Sequence, residues 1–307
     1  MPQLQTQLYS STFWSARRPK FPLTEGHLVL RLNDPAIAFG PDSAAGLLHS
    51  YGRLRRALTA LRGATAAQLY MSLNWQPVGD ADGEPLAETS TPTLHLFFHW
   101  PGSTTAATAL RLPAHQRTAA AGTEALDTEL RSWLAGTERA GQEWPAEADA
   151  SPPDPLPSPL PGPLPGRRPG DPAPGQDRSW EPPGWEDRPF HIEPVRPISG
   201  EPFRVGHWTA IPRFPAPTLD RLAPASVVEL AGTLQRFGSH ARPAAHGCTV
   251  WATDIWDAPD PATLHLFTRR RGEADGLPRD FVAAGLDLPR GAALDGKPGG
   301  PSPTVDT

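Results

Sequence analysis

The five-residue segment Thr-Leu-His-Leu-Phe occurs twice in this chain, at residues 93–97 and 263–267. Side chains of a β-strand alternate between the two faces of its sheet. Each copy therefore places its two leucines on one face, where they can pack into a core. The threonine, the histidine and the phenylalanine lie on the other face. The repeat predicts that His95 and His265 occupy equivalent strand positions at which a histidine can meet a ligand.

The surroundings of the pentapeptide repeat as well. A Gly-His pair precedes each copy, at residues 26–27 and 206–207, and these pairs are offset by 180 residues. Apolar segments that end in tryptophan lie between these landmarks, at 69–75 and 250–256, with an offset of 181. Because three landmarks recur in the same order, we predict a duplicated domain.

Hydrophobic periodicity predicts the order strand, helix, strand, strand in both halves. In the first half we expect strands at 27–32, 68–75 and 93–100, a helix capped by Asp42 or Ser43 and closed by Gly63, and a further helix at 123–136. In the second half we expect strands at 203–212, 249–256 and 263–269, a helix opened by a capping box between Ser226 and Glu229, and a helical turn at 280–285. Residues 1–22 are expected to form an irregular lead-in with one short edge strand.

The stretch 152–189 contains 14 of the 40 prolines of the chain and favours an extended conformation. It predicts a long linker; the alternative is a docking segment for a partner of the SH3 type. The predicted organisation is a first unit at 1–122, a connecting helix within 123–145, a proline-rich linker at 146–189, a second unit at 190–288 and a disordered tail at 289–307.

Composition excludes several classes of function. The net charge of −5 does not suit a generally basic nucleic-acid-binding protein. The single cysteine, Cys248, rules out an intramolecular disulfide and a zinc site made of paired cysteines. Together with His240 and His246 it offers three zinc ligands without a fourth, so we expect no metal.

The first 13 residues do not resemble a secretion signal, and the sequence contains no run of 18 apolar residues. We therefore expect a soluble cytoplasmic protein without a membrane partner.

The order of a Gly-His strand, a helix, a strand ending near Asn74 and an apolar-His-apolar strand resembles the histidine triad (HIT) superfamily. The resemblance covers about 23–101 and 203–271. Two such units in one chain are similar in layout to the galactose-1-phosphate uridylyltransferase and diadenosine tetraphosphate phosphorylase branch. The resemblance implies an α+β fold of two HIT-like units, each a mainly antiparallel sheet with a packed helix, arranged as a pseudo-dimer. It implies no cofactor.

The resemblance also implies roles for individual residues. His95 matches the middle histidine of the family motif, the nucleophile that attacks the α-phosphate of a nucleotide. Asn74 falls near the asparagine that holds the phosphate or the histidine strand, and Ser90 falls near the residue that donates to the bridging oxygen. In the second unit His265 alone matches, because Ile255 and Asp260 stand at the other two positions.

The motif is degenerate at two positions. Thr93 and Thr263 replace its first histidine, and Phe97 and Phe267 replace the residue that binds phosphate oxygens. Other donors on or near the same face would have to bind the substrate. The candidates for that role are His99, Thr93 and Arg269.

These observations lead to two hypotheses. The first is a nucleotidyl transferase or hydrolase that acts on a nucleotide or nucleotide sugar through a nucleotidyl-histidine intermediate. In that reaction one nitrogen of the neutral His95 ring attacks phosphorus, while the N–H of the other nitrogen donates a hydrogen bond to a backbone carbonyl. The alternative is a catalytically inactive HIT-like scaffold that binds a nucleotide or a protein, with Phe97 filling the former phosphate pocket. In both, His27 and His207 are interpreted as surface or hydrogen-bonding residues, not as catalysts.

Overall fold

The computed structural model describes residues 7–74, 93–110, 112, 114–139, 189–195, 206–213, 216, 218–241, 247–256 and 263–269. These residues form an α+β fold with one large sheet and helices packed on it. No helix in these ranges is long and apolar enough to cross a membrane.

The described part of the chain contains nine strands. They are β1 (Gln7–Ser10), β2 (Trp14–Arg17), β3 (His27–Leu32), β4 (Ala66–Asn74), β5 (Thr93–His99), β6 (Phe190–Pro194), β7 (His207–Pro212), β8 (Gly247–Ile255) and β9 (Leu264–Arg269). They lie side by side in the order β1-β2-β3-β5-β4-β8-β9-β7-β6, and each neighbouring pair is antiparallel. The helices are α1 (Pro41–Arg62), α2 (Ala106–Leu110), α3 (Thr123–Arg139) and α4 (Pro224–Ala241), with 3-10 turns at Ala114–Gln116 and Leu219–Arg221.

The two halves of the sequence meet at the centre of the sheet. Strands β4 and β8 pair over their whole length, from Ala66 opposite Ile255 to Asn74 opposite Gly247. Tyr70 stands opposite Trp251, and these two residues are separated by the same 181 positions that relate the repeated segments. Outward from this pair, strands of the first half lie on one side and strands of the second half on the other.

The sheet has two distinct faces. The helix face carries the main core, in which leucines of β3 and β5 pack against α1 and α3; it includes Leu28, Leu30, Leu96, Leu54, Leu58, Leu126 and Leu130. The opposite face, which we call the histidine face, carries a smaller cluster made of Leu23, Tyr70, Phe97, Ala106, Leu110, Trp251 and Phe267. The leucines of the repeated pentapeptide lie on the helix face, as their alternation predicts.

Helix α1 begins earlier than expected. It starts at Pro41, and its N-cap is Gly40, not Asp42 or Ser43. Proline suits this first position because its missing N–H would have no partner there. The Oγ atom of Ser43 instead accepts a hydrogen bond from the N–H of Gly40 at 2.8 Å. The C-terminal prediction is confirmed, because Gly63 adopts a left-handed conformation with φ of 67°.

Most predicted elements are confirmed to within two residues. The capping box between Ser226 and Glu229 is wrong, because α4 begins two residues earlier at Pro224. The lead-in contains two strands, β1 and β2, instead of one. Strand β6 was not predicted at all. The helical turn at 280–285, the proline-rich linker and the tail lie outside the described residues.

Candidate functional site

One row of directly paired residues crosses the middle of the histidine face. From one side to the other it contains Val29, His95, Tyr70, Trp251, His265 and Thr209. The ring of Tyr70 is edge-on to His95, with centroids 5.7 Å apart, and edge-on to Trp251 at 4.9 Å. The two histidines of the repeated pentapeptide therefore flank an aromatic pair at the centre of the sheet.

His95 has a second histidine as its partner. Its Nδ1 lies 3.0 Å from Nε2 of His27, which projects from the neighbouring strand β3. Opposite His27 on β5 is Phe97, and the two rings are stacked with centroids 4.2 Å apart. His27 is fully buried, whereas 7% of His95 remains exposed.

Hydrogen bonding determines which nitrogens of this pair carry protons. The backbone N–H of Leu23 donates to Nδ1 of His27 at 3.1 Å, so this nitrogen has no proton. A neutral His27 then carries its proton on Nε2 and donates it to Nδ1 of His95. A neutral His95 consequently carries its own proton on Nε2.

Both rings are neutral at pH 7. Burial lowers the pKa of His27 well below its usual value, and the nearby His95 and Arg18 lower it further. Burial lowers the pKa of His95 to about 4. The desolvated pair therefore holds its protons in the arrangement derived from the hydrogen bonds.

This arrangement contradicts the tautomer expected for a nucleophile. The expected His95 donates from one nitrogen to a backbone carbonyl and attacks with the other. In the structure Nδ1 accepts from His27, and Nε2 carries the proton. The reason is the Gly-His strand, which places an imidazole where the carbonyl was expected.

The second half repeats the arrangement. Nε2 of His207 lies 3.1 Å from Nδ1 of His265. The ring centroids of this pair are 5.3 Å apart at 41°, the same values as for the first pair. His207 stacks on Phe267 at 4.3 Å, and burial lowers the pKa of His265 to about 4. The degenerate motif thus builds one geometry twice.

The other candidate residues are spread along the strands. Thr93 begins β5 opposite Arg31, two residues from His95. Asn74 ends β4, four residues beyond Tyr70, which corresponds to about 13 Å along the strand. Arg269 ends β9 opposite Gly247. The side chains of Asn74 and Arg269, and the whole of Ser90, lie outside the described residues.

His99 is a poor candidate for direct substrate contact. It lies on the histidine face but is fully buried, four residues from His95. Neither of its ring nitrogens has a hydrogen-bond partner among the described residues. Burial lowers its pKa to about 4.

Sequence reasoning missed three features of this face. It assigned no role at the site to His27 and His207, although the Gly-His pairs preceding the two pentapeptides were the available signal. It also missed Gln68, which stands opposite Phe97 and is fully buried with both amide atoms unpaired within the described part of the chain. Buried polar atoms without a partner are uncommon and mark positions where a water molecule or a ligand can bind.

The described residues contain no group of three or more histidine, cysteine or acidic side chains placed to hold a metal ion. Cys248, considered as a zinc ligand, is fully buried in the core of the helix face. Only the backbone of His240 belongs to the described part of the structure, and His246 lies outside the described residues.

Comparison with known proteins finds weak matches among solved structures alone. No family model and no curated protein matches the sequence. Among solved structures, a zinc-bound histidine triad family protein from Mycobacterium smegmatis shares 18% identity, with 44% of this chain and 87% of that chain covered and a TM-score of 0.30. A GalT-like protein from Arabidopsis thaliana shares 11% identity, with 86% and 78% covered and a TM-score of 0.41. At these values neither structure assigns the chain to a family.

Proposed function

We propose that this chain is a HIT-like binding protein that does not catalyse nucleotidyl transfer through His95. The hydrogen bond from His27 to His95 carries this proposal. Attack on phosphorus requires a lone pair on a ring nitrogen. The lone pair of Nδ1 is already engaged by His27, and Nε2 carries a proton.

Phe97 supports the same conclusion. It stands where the family motif has a residue that binds phosphate oxygens, and its ring has no hydrogen-bond donor. The ring is fully buried, stacks on His27 and lies 6.5 Å from Trp251 in a nearly parallel orientation. It fills space that a phosphate group would need.

The charge of the site points the same way. The lowered pKa values of His95 and His265 keep both rings neutral at pH 7. A phosphoryl group in its transition state needs positive charge or several converging donors. His95 supplies one neutral N–H, which suits binding better than catalysis.

We further propose that the two units, within 1–122 and 190–288, form a pseudo-dimer about the pairing of Tyr70 with Trp251. The Nε2–H of His95 is available to a ligand oxygen, and Thr93, Asn74, Ser90 and Arg269 are proposed as further contacts. The resemblance to HIT proteins makes a nucleotide or nucleotide sugar the ligand to test first. A protein ligand is the alternative.

Covalent capture tests the absence of transfer. The full-length chain is incubated with nucleotides and nucleotide sugars labelled in the α-phosphate, and an acid-labile, base-stable adduct is sought. We expect no adduct with any donor. Label that is lost in His95→Ala but retained in the matched variant His265→Ala would overturn the proposal and establish a nucleotidyl-histidine.

Calorimetric titration with the same compounds, unlabelled, tests binding. We expect saturable binding that weakens in His95→Phe, because phenylalanine keeps the ring but removes the donor. Absence of binding with every compound would argue against the nucleotide ligand and leave the protein-binding scaffold.

A further inference from the structure

A cavity of about 400 Å³ lies on the helix face, on the side of the sheet opposite His95. Its floor is formed by the central strands, including Leu69 and Met71 of β4 and Val250 of β8. Its walls come from α1 and α4, which pack against each other. The cavity therefore lies where the two halves of the chain meet.

Among the described residues that line the cavity, no side chain has an unused hydrogen-bonding group of nitrogen or oxygen. Two of these side chains contain such atoms, and both are already paired. Nε1 of Trp14 donates to the backbone oxygen of Ser43 at 2.7 Å, and the hydroxyl of Tyr51 donates to Asp254 at 2.6 Å. The remaining lining side chains are leucine, phenylalanine, methionine, valine and alanine.

This chemistry restricts what can occupy the cavity. Water needs two to four polar partners to bind in a protein interior. An extended polypeptide segment placed inside would bury backbone N–H and C=O groups without partners. A nucleotide or sugar would leave its hydroxyl groups unpaired. A molecule without polar groups in its buried part meets none of these costs.

The size of the cavity is that of a ligand site. Cavities of about 150 Å³ lined by apolar side chains bind benzene, and small-molecule pockets measure about 300 to 1,000 Å³. The cavity also exposes side chains that a sheet centre normally buries. Leu69, Met71 and Leu94 lie on the central strands β4 and β5, yet they are only partly buried.

We propose that this cavity binds one apolar small molecule, a hydrocarbon chain or a compact hydrocarbon of two to three rings. Such a ligand would pack simultaneously against α1 of the first half and α4 of the second half, and it would stabilise their association. The site is independent of the histidine face and of the function proposed for it.

The test uses 1,6-diphenylhexatriene, a hydrocarbon whose fluorescence increases in an apolar environment. Titrated into the full-length chain, it should give saturable binding of one molecule per chain. Competition with n-octane should reduce the signal. In a separate measurement without the dye, n-octane should raise the melting temperature, because a ligand that binds only the folded state stabilises it.

A pair of variants on α4 locates the binding site. Ala231 lines the cavity, and Ala231→Phe should place a ring inside it and weaken dye binding at least tenfold. Ala225 is exposed on the same helix, and Ala225→Phe adds the same group without entering the cavity, so binding should be unchanged. If Ala231→Phe does not fold, Leu69→Phe on β4 supplies the same test from the floor of the cavity.

Three results would overturn the proposal. The first is absence of saturable dye binding by the unmodified chain. The second is binding that persists in the folded cavity-filling variant. The third is an n-octane titration that displaces the dye but leaves the melting temperature of the unmodified chain unchanged, because a ligand that binds only the folded state must raise it.

Discussion

His27 donates a hydrogen bond to His95 from a ring that is itself stacked on Phe97, with the bond 3.0 Å long and the ring centroids 4.2 Å apart. One buried side chain thus contacts both the histidine and the phenylalanine of the first repeated pentapeptide. The same contacts recur around His207, His265 and Phe267. The altered residues of the motif and the Gly-His strand therefore form one packed unit.

The first prediction concerns the position of the proton on His95. Nitrogen-15 NMR at pH 7 should show a protonated Nε2 and an unprotonated Nδ1 that accepts a hydrogen bond. In His27→Phe the stack on Phe97 is kept but the donor is lost, so the two tautomers of His95 should both become populated. The stability of the protein should fall by about 1 to 3 kcal/mol, since a buried acceptor is left unpaired.

The matched control for this experiment is His207→Phe. It makes the same change in the second half, and it should alter the signals of His265 but not those of His95. A protonated Nδ1 on His95 in the unmodified protein would contradict the assignment of its proton to Nε2 and would restore His95 as a candidate nucleophile.

The second prediction is that the protein loses stability in mild acid. Burial lowers the folded-state pKa of His95, His99 and His265 to about 4, and that of His27 is also lowered. As pH falls below about 6.5, these histidines bind protons in the unfolded chain but stay neutral in the folded chain. The contribution of His95, His99 and His265 to the free energy of unfolding is complete above about pH 6.5 and is lost as pH falls toward 4, by about 3 kcal/mol for each of these three residues.

Urea denaturation at a series of pH values between 7 and 4.5 measures this effect. His99→Leu should reduce the acid-dependent loss of stability by about the contribution of one histidine. It should also stabilise the protein at pH 7, because it removes two buried ring nitrogens that lack hydrogen-bond partners among the described residues. His115, which is exposed, supplies the control His115→Leu. An unchanged pH profile in His99→Leu would show that His99 is not the buried neutral group described.

The third prediction has the opposite sign and concerns Asp254. Burial raises its pKa to about 6, although the hydroxyl of Tyr51 and the N–H of Leu219 lower it in part by donating hydrogen bonds. A carboxyl group with a raised folded-state pKa favours folding most below its unfolded pKa of 3.8. That contribution, about 3 kcal/mol, is lost as pH rises through 6, so none of it remains at pH 7.

Asp254→Asn should remove this dependence, because the amide oxygen still accepts from Tyr51 but does not ionise. The stability difference between the variant and the unmodified protein should therefore grow in favour of the variant as pH rises from 4 to 7. Asp42→Asn, at an exposed position of α1, is the control. A constant difference across this range would show that Asp254 titrates as an ordinary carboxyl group.

Local patterns predicted the parts of this fold that depend on neighbouring residues in the chain. The alternation in residues 93–97 and 263–267 assigned each side chain to a face, and Gly63 correctly marked the end of α1. The bond from His27 to His95, two residues 68 positions apart in sequence, depends on the pairing of β3 with β5. Neither residue type nor spacing specifies that register, so the role of His27 was missed.

The cavity was unpredictable for a related reason. Most of its lining residues are ordinary apolar residues of helices or strands. An unfilled volume arises only from the distance between α1, α4 and the sheet, which is set by all their packing contacts together. Sequence patterns give the direction of a side chain, but they do not give the space left beside it.

A glycine precedes the first histidine of β3 and of β7, at positions 26 and 206. The position of a Cβ atom on Gly26 overlaps the backbone oxygen of Phe98 and lies 2.9 Å from its carbonyl carbon. Gly26 accepts a hydrogen bond from the N–H of Phe98 at 3.0 Å, and Gly206 accepts one from Thr268 at 2.9 Å. The missing side chain therefore lets β3 approach β5 closely enough for His27 to reach His95.

The fourth prediction follows from this close approach. Gly26→Ala should force β3 away from β5, reduce the stability by about 1 to 3 kcal/mol and disturb the NMR signals of His95. Gly136→Ala, at an exposed position of α3 where an added Cβ meets nothing within 4 Å, should leave the stability unchanged or raise it by up to about 1 kcal/mol. If Gly26→Ala were as harmless as Gly136→Ala, the glycine would not be what positions His27. The Gly-His pair would then have no structural connection to the histidine strand.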